Sequence, residues 1–291
     1  MPATLRDKVI VIIGGTSGIG LSAAKAFIQG GARVVALGND KETSAGAEKE
    51  FVSAGLVMTA DATDPKAAPA AIEVALGNFK RFDALYHVAG GSGRRKGDGP
   101  LHELTDDGWE YTLNLNLTSL FYSNRAAVQQ FLKQQTGGAV LNLSSVLAFS
   151  PSAQFFGTHA YSAAKAAIVG LTKAAAAYYA STNIRFNVLA PGVVATPMSQ
   201  RAQSDPQIAQ FISTKQPLDG GRMGQPSDLD AAAAYLLSEE SRFVTGQVLA
   251  IDGGWSLSDG QVPTERPAQS QSQPKNLIRT LAGIWSRLNK S

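Results

Sequence analysis

Tyr161 and Lys165 lie four residues apart in an alanine-rich stretch, 159–180, whose composition predicts a helix. On a helix this spacing places both side chains on one face, where they can affect each other. A free phenol has a pKa of about 10, and a neighbouring ammonium group favours the phenolate and lowers that pKa. The pair could therefore exchange a proton with an alcohol or carbonyl oxygen. A half-buried aromatic beside a solvated lysine gives the same pattern, so the rest of the chain must decide.

A glycine-rich turn follows the first predicted strand, 8–13, which is short, apolar and rich in β-branched residues. The turn reads Gly14-Gly15-Thr16-Ser17-Gly18-Ile19-Gly20 and leads into a helical pattern over 21–29. A strand, a glycine turn and a helix together direct backbone N–H groups and a helix N-terminus at a phosphate group. The spacing is G-x-x-x-G-x-G, not G-x-G-x-x-G. Glycine also suits any tight turn, but this context favours phosphate binding.

The residues after the second and third predicted strands, 33–37 and 56–60, would face the adenosine half of a dinucleotide. An acid directly at the end of the second strand selects NAD, yet Gly38 is followed by Asn39, Asp40 and Lys41. Asp40 could reach a ribose, and Asn39 or Lys41 could contact a 2′-phosphate. Equally, these residues could cap a helix over 42–54, so the choice between NAD and NADP stays open. Asp61-Ala62 ends the third strand and could meet the adenine.

Three further groups lie where later elements reach the same edge of the sheet. Ala89-Gly90 follows the predicted strand 83–88 and is small enough for a cofactor to lie against it. Asn116 lies inside a long predicted helix, 106–135, where a buried amide needs a specific partner. Ser144 and Ser145 follow the strand 140–143, and a serine there could direct its hydroxyl at a bound carbonyl.

Composition excludes several classes of protein. The chain has no cysteine, which excludes disulfides and thiolate metal sites, and we predict no metal centre. Neither a signal peptide nor an apolar run of about 18 residues is present, so a cytoplasmic location is expected. Residues 259–291 hold five of the 26 basic and two of the 23 acidic residues, which leaves 21 of each in 1–258. The main domain is thus electrically balanced, and nucleic-acid binding is not expected.

Six or seven short apolar strands alternate with helices over residues 1–258, which predicts one α/β domain with a doubly wound parallel sheet. Residues 259–275 are rich in proline, glutamine and serine and predict a flexible linker. Apolar residues then recur at helical spacing among basic ones over 276–291, which predicts a short amphipathic helix. That helix could bind an anionic membrane surface, although we favour a contact with the core or a second subunit.

These motifs together resemble the short-chain dehydrogenase/reductase family over residues 5–257. The resemblance implies a Rossmann-like fold, hydride transfer between NAD or NADP and a small-molecule alcohol or carbonyl, and assembly as a homodimer or homotetramer through 106–135 and 160–181. It implies catalytic roles for Asn116, Ser145, Tyr161 and Lys165, with Tyr161 as the acid/base and Lys165 lowering its pKa. The implied cofactor-binding residues are Gly14, Thr16, Ser17, Gly18, Ile19, Gly20, Asn39, Asp61, Ala62, Ala89, Gly90, Tyr161, Lys165, Pro191, Gly192, Val194 and Thr196.

The sequence departs from the family pattern at several points. Ile13 stands where a threonine is usual, and His87-Val88 replaces the usual Asn-Asn. The segment between Ser145 and Tyr161 is longer than usual through 154–159, which leaves Ser144 as an alternative to Ser145.

The substrate region is the least patterned part of the chain. Its basic loop, Arg94-Arg95-Lys96, could attract an acidic substrate or could simply be solvated, and 198–216 predicts a mobile lid. Phe149, Phe155, Phe156 and Met198 suggest an apolar mouth. Two other functions stay open: a catalytically silent cofactor-binding protein, and a dehydratase or epimerase that uses the same cofactor.

Overall fold

Strand β1 (Val9–Ile13) lies at the centre of a sheet because all five of its side chains are apolar and buried. The computed structural model describes residues 5–51 and 54–261. Alternate side chains of β1 enter two separate cores. Ile10 and Ile12 belong to one, and Val9, Val11 and Ile13 to the other. A strand covered by helices on both faces requires such an uninterrupted apolar run.

All seven strands are parallel, in the order β3-β2-β1-β4-β5-β6-β7. Their bounds are β1 (Val9–Ile13), β2 (Arg33–Gly38), β3 (Gly55–Thr59), β4 (Ala84–His87), β5 (Gly138–Leu143), β6 (Ile184–Pro191) and β7 (Val248–Ile251). The predicted doubly wound parallel sheet is confirmed. The strand order reverses between β1 and β4, where Ile13 pairs with His87. A crevice at the carboxyl ends of those two strands is where such sheets bind ligands.

The helices cover both faces of the sheet. In the part of the chain that the structure describes, they are α1 (Gly18–Gln29), α2 (Lys41–Phe51), α3 (Ala67–Phe79), α4 (Asp106–Leu113), α5 (Ser119–Gln134), α6 (His159–Tyr179), α7 (Gln200–Ser204), α8 (Pro206–Lys215) and α9 (Asp230–Leu237). Helices α1, α2 and α9 contribute to the core on one face, and α3, α5 and α6 to the core on the other. The crossovers thus form the two helical layers of a three-layer α/β fold.

The long helix predicted over 106–135 is present, and its backbone stays helical from Asp106 to Gln134. A π-helical turn, Asn114–Thr118, lies within it, between α4 and α5. The widened turn carries Asn116, which is fully buried. Turns of this kind add one residue to a helix, often where a side chain has a specific task.

The end of the sheet domain lies slightly beyond the predicted boundary at Ser258. One compact unit extends through Gln261, whose backbone N–H donates to Thr214 Oγ1 of α8 at 2.7 Å. Lys215 Nζ donates to the backbone oxygen of Ser258 nearby. The remainder of the predicted linker and the amphipathic helix over 276–291 lie outside the described residues. No helix within 5–51 and 54–261 is long and apolar enough to cross a lipid bilayer.

Candidate active site

The turn between β1 and α1 has positions at which nothing larger than glycine fits. A Cβ on Gly14 would lie 2.6 Å from the nitrogen of Ala89, and one on Gly20 would lie 2.0 Å from the oxygen of Gly14. Gly14 also has a φ of +87°, which L side chains avoid. Strand β4, the turn and α1 therefore pack backbone against backbone at the switch point.

Helix α1 presents an uncapped N-terminus at this turn. Ser17 is its N-cap residue but makes no side-chain cap hydrogen bond, and the first turn holds no acidic side chain. The first N–H groups of a helix carry partial positive charge and need acceptors. A phosphate group is a suitable acceptor there. The residues present thus fit the pyrophosphate of a dinucleotide cofactor.

Three other residues predicted to bind the cofactor lie around this turn, and they differ in exposure and in the side from which they approach it. Ser17 is exposed, whereas Thr16 is buried, with its hydroxyl 3.3 Å from that of Thr43. Only the backbone of Thr16 is available to a ligand. Thr196 faces the turn from the opposite side, since a Cβ on Gly18 would lie 3.3 Å from its Cγ2. The structure thus brings the segment after β6 against the glycine turn.

The residues after β2 and β3 are engaged in local turns. Asp40 caps α2, because its Oδ1 accepts the backbone N–H of Thr43 at 2.8 Å, and this bond lowers the pKa of Asp40. Asn39 is exposed at the end of β2. Asp61 Oδ1 accepts bonds from the N–H and hydroxyl of Thr63, both at 2.8 Å, and Ala62 packs on the core beside it. Of the readings of Asp40 considered above, the structure supports the helix cap.

Tyr161 lies in the first turn of α6, and Lys165 follows one turn later. Both are almost fully buried, at 8% and 3% exposure. Lys165 Nζ donates to the backbone oxygen of Leu143 at 3.0 Å and lies 5.4 Å from the centroid of the Tyr161 ring. A Cβ on Gly90 would come within 3.3 Å of that nitrogen. The ammonium group thus lies among the ends of β4 and β5 and the phenol ring.

The pKa values of this pair differ from the expectation. Burial raises the pKa of Tyr161 to about 12, against the opposing effect of a hydrogen bond with Ser145. Burial also lowers the pKa of Lys165 to about 8. Loss of water around a buried phenolate is the larger effect on Tyr161, because it disfavours the charged form.

The two serines after β5 have separate roles. Ser145 is close enough to the phenol to lower the pKa of Tyr161, and its Oγ accepts the N–H of Leu147 at 3.2 Å. Ser144 Oγ donates to the backbone oxygen of Lys165 at 2.7 Å. Ser144 therefore ties the strand end to α6, and Ser145 is the serine beside the phenol.

Asn116 holds the loop after β4. Its Nδ2 donates to the backbone oxygens of Gly91 and Thr112, both at 2.9 Å, and its Oδ1 accepts the N–H of Gly91 at 3.0 Å. A Cβ on Gly90 would lie 2.7 Å from that Oδ1. The specific partner expected for a buried amide is thus the backbone of this loop.

A second buried amide, Gln216, holds the loop after β6 in the same manner. Its Oε1 accepts the N–H of Val193 at 2.5 Å, and its Nε2 donates to the oxygen of Val193 at 3.2 Å. Gly192, Val194 and Thr196 belong to this loop, and Pro191 is the last residue of β6. Sequence reasoning missed Gln216, because it lies in a polar stretch that predicts only a lid.

His87 occupies one of the two positions where asparagine is usual. It is 1% exposed, with Nε2 3.1 Å from the backbone oxygen of Ala89 and Nδ1 2.8 Å from Ser123 Oγ. A carbonyl oxygen only accepts, so Nε2 carries the proton and Nδ1 accepts from the serine. Burial, and then the nearby Lys165, lower the pKa of His87 to about 3. A neutral imidazole thus fixes the carbonyl of Ala89.

Asp98 was also missed, although it fixes the start of the helix that carries Tyr161. It is 3% exposed, its Oδ1 accepts the N–H of Ala160, and its Oδ2 accepts that of Tyr161, both at 3.0 Å. The neighbouring Gly99 oxygen accepts the N–H of His159 at 3.2 Å. A single acid between glycines in a long loop is a weak signal, because its partners are remote in sequence.

The segment before Tyr161 packs against the predicted lid. The Phe155 and Phe211 ring centroids are 5.3 Å apart, and Phe156 contacts Trp255 edge-on at 5.4 Å. Phe149 and Met198 are about half exposed. Helices α7 and α8 therefore form a wall beside the site, joined to the extra residues 154–159 by aromatic contacts.

Known proteins resemble this chain in sequence along most of its length. A family model described as Enoyl-(Acyl carrier protein) reductase matches residues 14–256. The chain is 32% identical over 255 residues to 3beta-hydroxysteroid dehydrogenase 2 of Eggerthella lenta, which covers 87% of this chain and 96% of that protein. It is also 32% identical over 258 residues to 2-dehydro-3-deoxy-D-gluconate 5-dehydrogenase of Dickeya dadantii, covering 86% and 96% of the two chains.

The fold is also found among solved structures. A short-chain type dehydrogenase/reductase from Mycobacterium ulcerans superposes with a TM-score of 0.80 and 28% identity, covering 88% of this chain and 92% of the other. The matched region contains the glycine turn, the serine pair, Tyr161 and Lys165. The chain is therefore an oxidoreductase acting on alcohol or carbonyl substrates, and it belongs to the short-chain dehydrogenase/reductase family.

Proposed function

We propose that Tyr161 is the acid/base of an NAD(P)-dependent interconversion of an alcohol and a carbonyl compound. The observation that carries this proposal is the grouping of one phenol, one hydroxyl and one ammonium group around a single buried point. Ser145 lowers the pKa of Tyr161, and Lys165 Nζ lies 5.4 Å from the Tyr161 ring centroid. When bound, NAD or NADP supplies or accepts the hydride, and the chain handles the proton.

The pKa of Tyr161 gives the residue different roles in carbonyl reduction and in alcohol oxidation. At about 12 it keeps the phenol protonated near neutral pH, so Tyr161 can donate its proton to a carbonyl oxygen during reduction. Alcohol oxidation needs the phenolate as base, which becomes more available as pH rises. Ser145 donates a second hydrogen bond to the same substrate oxygen and stabilises the charge that develops there.

The remaining residues hold the cofactor and its surroundings. The backbone of the glycine turn receives the pyrophosphate at the N-terminus of α1. Lys165, beside Gly90, would hold the nicotinamide ribose, and residues 191–196 would hold the carboxamide. Asn116 and Gln216 keep the two flanking loops in place through bonds to Gly91 and Val193.

Tyr161→Phe tests this function, because it removes only the hydroxyl. We expect turnover to fall by about three orders of magnitude or more, within the range that general acid–base catalysis contributes. Cofactor binding, followed by quenching of tryptophan fluorescence with NAD and NADP in parallel, should stay within about twofold of wild type. Tyr179→Phe is the matched control at the end of α6.

Two other outcomes would favour another function. Full activity in Tyr161→Phe would refute the role of Tyr161. Cofactor binding without turnover, in a broad screen of alcohols and carbonyls by nicotinamide absorbance, would favour a catalytically silent protein. Product analysis distinguishes a dehydratase or epimerase from a dehydrogenase, since the first two release no reduced cofactor.

We also infer a homodimer or homotetramer, formed through α5 and α6. Support comes from the apolar side chains that these elements expose: Phe121 is 41% and Leu132 44% exposed. A cavity between the elements is lined by Leu117, Thr118, Phe121, Ala167 and Leu171. Light scattering on Phe121→Glu should show a smaller particle than wild type. The control Leu101→Glu, on an exposed loop, should not.

A further inference from the structure

Two exposed arginines from different segments meet at one backbone oxygen in the segment that precedes Tyr161. Arg94, in the loop after β4, places Nη2 3.4 Å from the carbonyl oxygen of Phe155. Arg201, in α7, places its Nη2 2.6 Å from the same oxygen. Phe155 itself belongs to the segment that leads to Tyr161. The loop, the lid and this segment, three walls of the substrate region, therefore converge here.

The two positive charges are not neutralised at this point. Within residues 5–51 and 54–261, neither Arg94 nor Arg201 forms an ion pair with a carboxylate. Burial lowers the pKa of Arg201, and the nearby Arg94 lowers it further. The guanidinium groups are thus close enough to repel each other, and the neutral carbonyl between them offsets only part of that repulsion.

The nearest acids are committed elsewhere. Asp98 uses both oxygens on the backbone N–H groups of Ala160 and Tyr161. Asp205 attracts Arg201, but its Oδ1 accepts the N–H groups of Gln207 and Ile208 at 2.9 and 3.2 Å and so caps α8. An anion from outside the chain would meet two guanidinium groups that form no ion pair within the described residues.

The geometry suits a planar or tetrahedral anion. A guanidinium group has five N–H donors in a fixed fork, and the Phe155 carbonyl takes one from each arginine. Arg201 also lies over the face of Phe156, 5.8 Å from the ring centroid, which limits its orientation. Lys96 faces elsewhere, since its Nζ lies 5.7 Å from the ring centroid of Tyr111 in α4. Arg94 is the residue of the basic loop that reaches the Phe155 carbonyl.

We propose that the substrate carries an anionic group, a carboxylate or a phosphate ester, which Arg94 and Arg201 bind while the reacting carbon faces Tyr161. This inference rests on the proposed function and names the substrate class for that site. Binding through two guanidinium groups would also draw α7 toward the loop after β4. The same contact would orient the substrate and close the wall of the site around it.

A binding measurement tests the anion site without turnover. Malonate and inorganic phosphate are titrated into the full chain by calorimetry at constant ionic strength. We expect binding to wild type and to Arg95→Gln, and a loss of about 10-fold or more in Arg94→Gln and in the double variant with Arg201→Gln. Arg95 is the matched control, since it has the same charge in the same loop. An equal loss of anion affinity in Arg95→Gln would overturn the proposed site, because it would show that the net positive charge of the loop attracts anions without a specific contact.

A kinetic measurement links the anion site to the reaction. The pairs compared are 3-hydroxybutyrate with its methyl ester, and glycerol 3-phosphate with glycerol. Arg94→Gln should lower kcat/KM about 10- to 100-fold more for the charged member than for the neutral member, with the difference in KM. The pair with the larger effect identifies the carboxylate or the phosphate.

The inference and the proposed function fail in different ways. If wild type turns over neutral alcohols with no preference for anions, the inference is wrong and the proposed function stands. If anions bind but no alcohol is oxidised, the proposed function fails together with the assignment of a substrate class. Arg201→Lys checks the lid, because it keeps the charge and one donor to Phe155. If Arg201→Lys keeps full activity on anionic substrates and Arg201→Gln loses it, the positive charge at position 201 is what the substrate requires.

Discussion

The carboxylate of Asp98 accepts the backbone N–H of Tyr161 at 3.0 Å, across 63 positions of sequence. Its other oxygen accepts the N–H of Ala160, so one buried acid caps the first turn of α6. The position of the proposed acid/base therefore depends on a loop from the other side of the site. A charged acceptor at a helix N-terminus also interacts favourably with the helix dipole.

Asp98→Asn should misplace Tyr161 without removing it. The amide presents one acceptor and one donor to two N–H groups, so one bond is lost and one N–H faces a donor. We expect kcat to fall about 10- to 100-fold with KM little changed. The free energy of unfolding should fall by about 1–3 kcal/mol. Urea denaturation and initial rates measure the two effects, with the exposed Asp107→Asn as control. A kcat equal to wild type would show that α6 starts correctly without this cap.

Ser145→Ala should shift the pH dependence of alcohol oxidation. The hydrogen bond from Ser145 lowers the pKa of Tyr161, so its loss raises that pKa and moves the alkaline rise in rate to higher pH. We expect a rate about 10- to 100-fold lower at a pH near 9. Ser144→Ala removes a bond to the Lys165 backbone instead, and should cost about 1 kcal/mol of stability with no shift. Initial rates from pH 6 to 10 measure both variants. The same shift in both would mean that the two serines are equivalent.

His87 should make the protein less stable in mild acid. Its pKa is about 3 in the folded chain and 6.5 for an ordinary histidine, so between these values the unfolded chain binds a proton that the folded chain does not. The free energy of unfolding therefore falls as pH decreases from 6.5, with a slope of at most about 1.4 kcal/mol per pH unit from this group. His87→Asn should remove that slope.

Urea denaturation at pH 7, 6 and 5 tests the role of His87. The comparison variant is His102→Asn, at a histidine whose side chain is 80% exposed. It should keep the wild-type slope. A wild-type slope in His87→Asn would place the acid sensitivity in another group.

Gly90→Ala should disturb the site with little effect on the fold. The added Cβ would lie 2.7 Å from Asn116 Oδ1 and 3.3 Å from Lys165 Nζ, and the bonds to Gly91 restrain the amide. We expect kcat/KM to fall about 10- to 100-fold. Gly46→Ala is the control, since a Cβ there meets no atom within 4 Å in α2. It should raise stability by about 0.5–1 kcal/mol and leave kcat/KM unchanged.

Local patterns in the sequence predicted the parts of the site that depend on local geometry. The apolar run of β1 and the glycines after it define the turn, because strand burial and backbone approach leave few alternative residues. Tyr161 and Lys165 share a face because an α-helix has about 3.6 residues per turn, which brings side chains four positions apart to the same side. The buried amide of Asn116 required a partner, although the identity of that partner, Gly91, depends on the tertiary fold.

The rest of the site depends on contacts between distant segments. Asp98 and Gln216 hold backbone groups 63 and 23 positions away, and no local period marks such pairs. The rise in the pKa of Tyr161 has a related origin. The sequence shows which charges are near in the chain, but it does not show how completely the folded chain excludes water from the phenol. The meeting of Arg94 and Arg201 at Phe155 is likewise a property of the fold alone.

The π-helical turn at Asn114–Thr118 has a consequence for how this region can change in evolution. Each residue of an α-helix advances about 100° around the axis, so one surplus residue rotates everything after it unless the turn widens to absorb it. Deleting a single residue there would restore a regular helix but would direct position 116 away from Gly91. We expect the segment to tolerate substitutions on its outer face far better than any change in length.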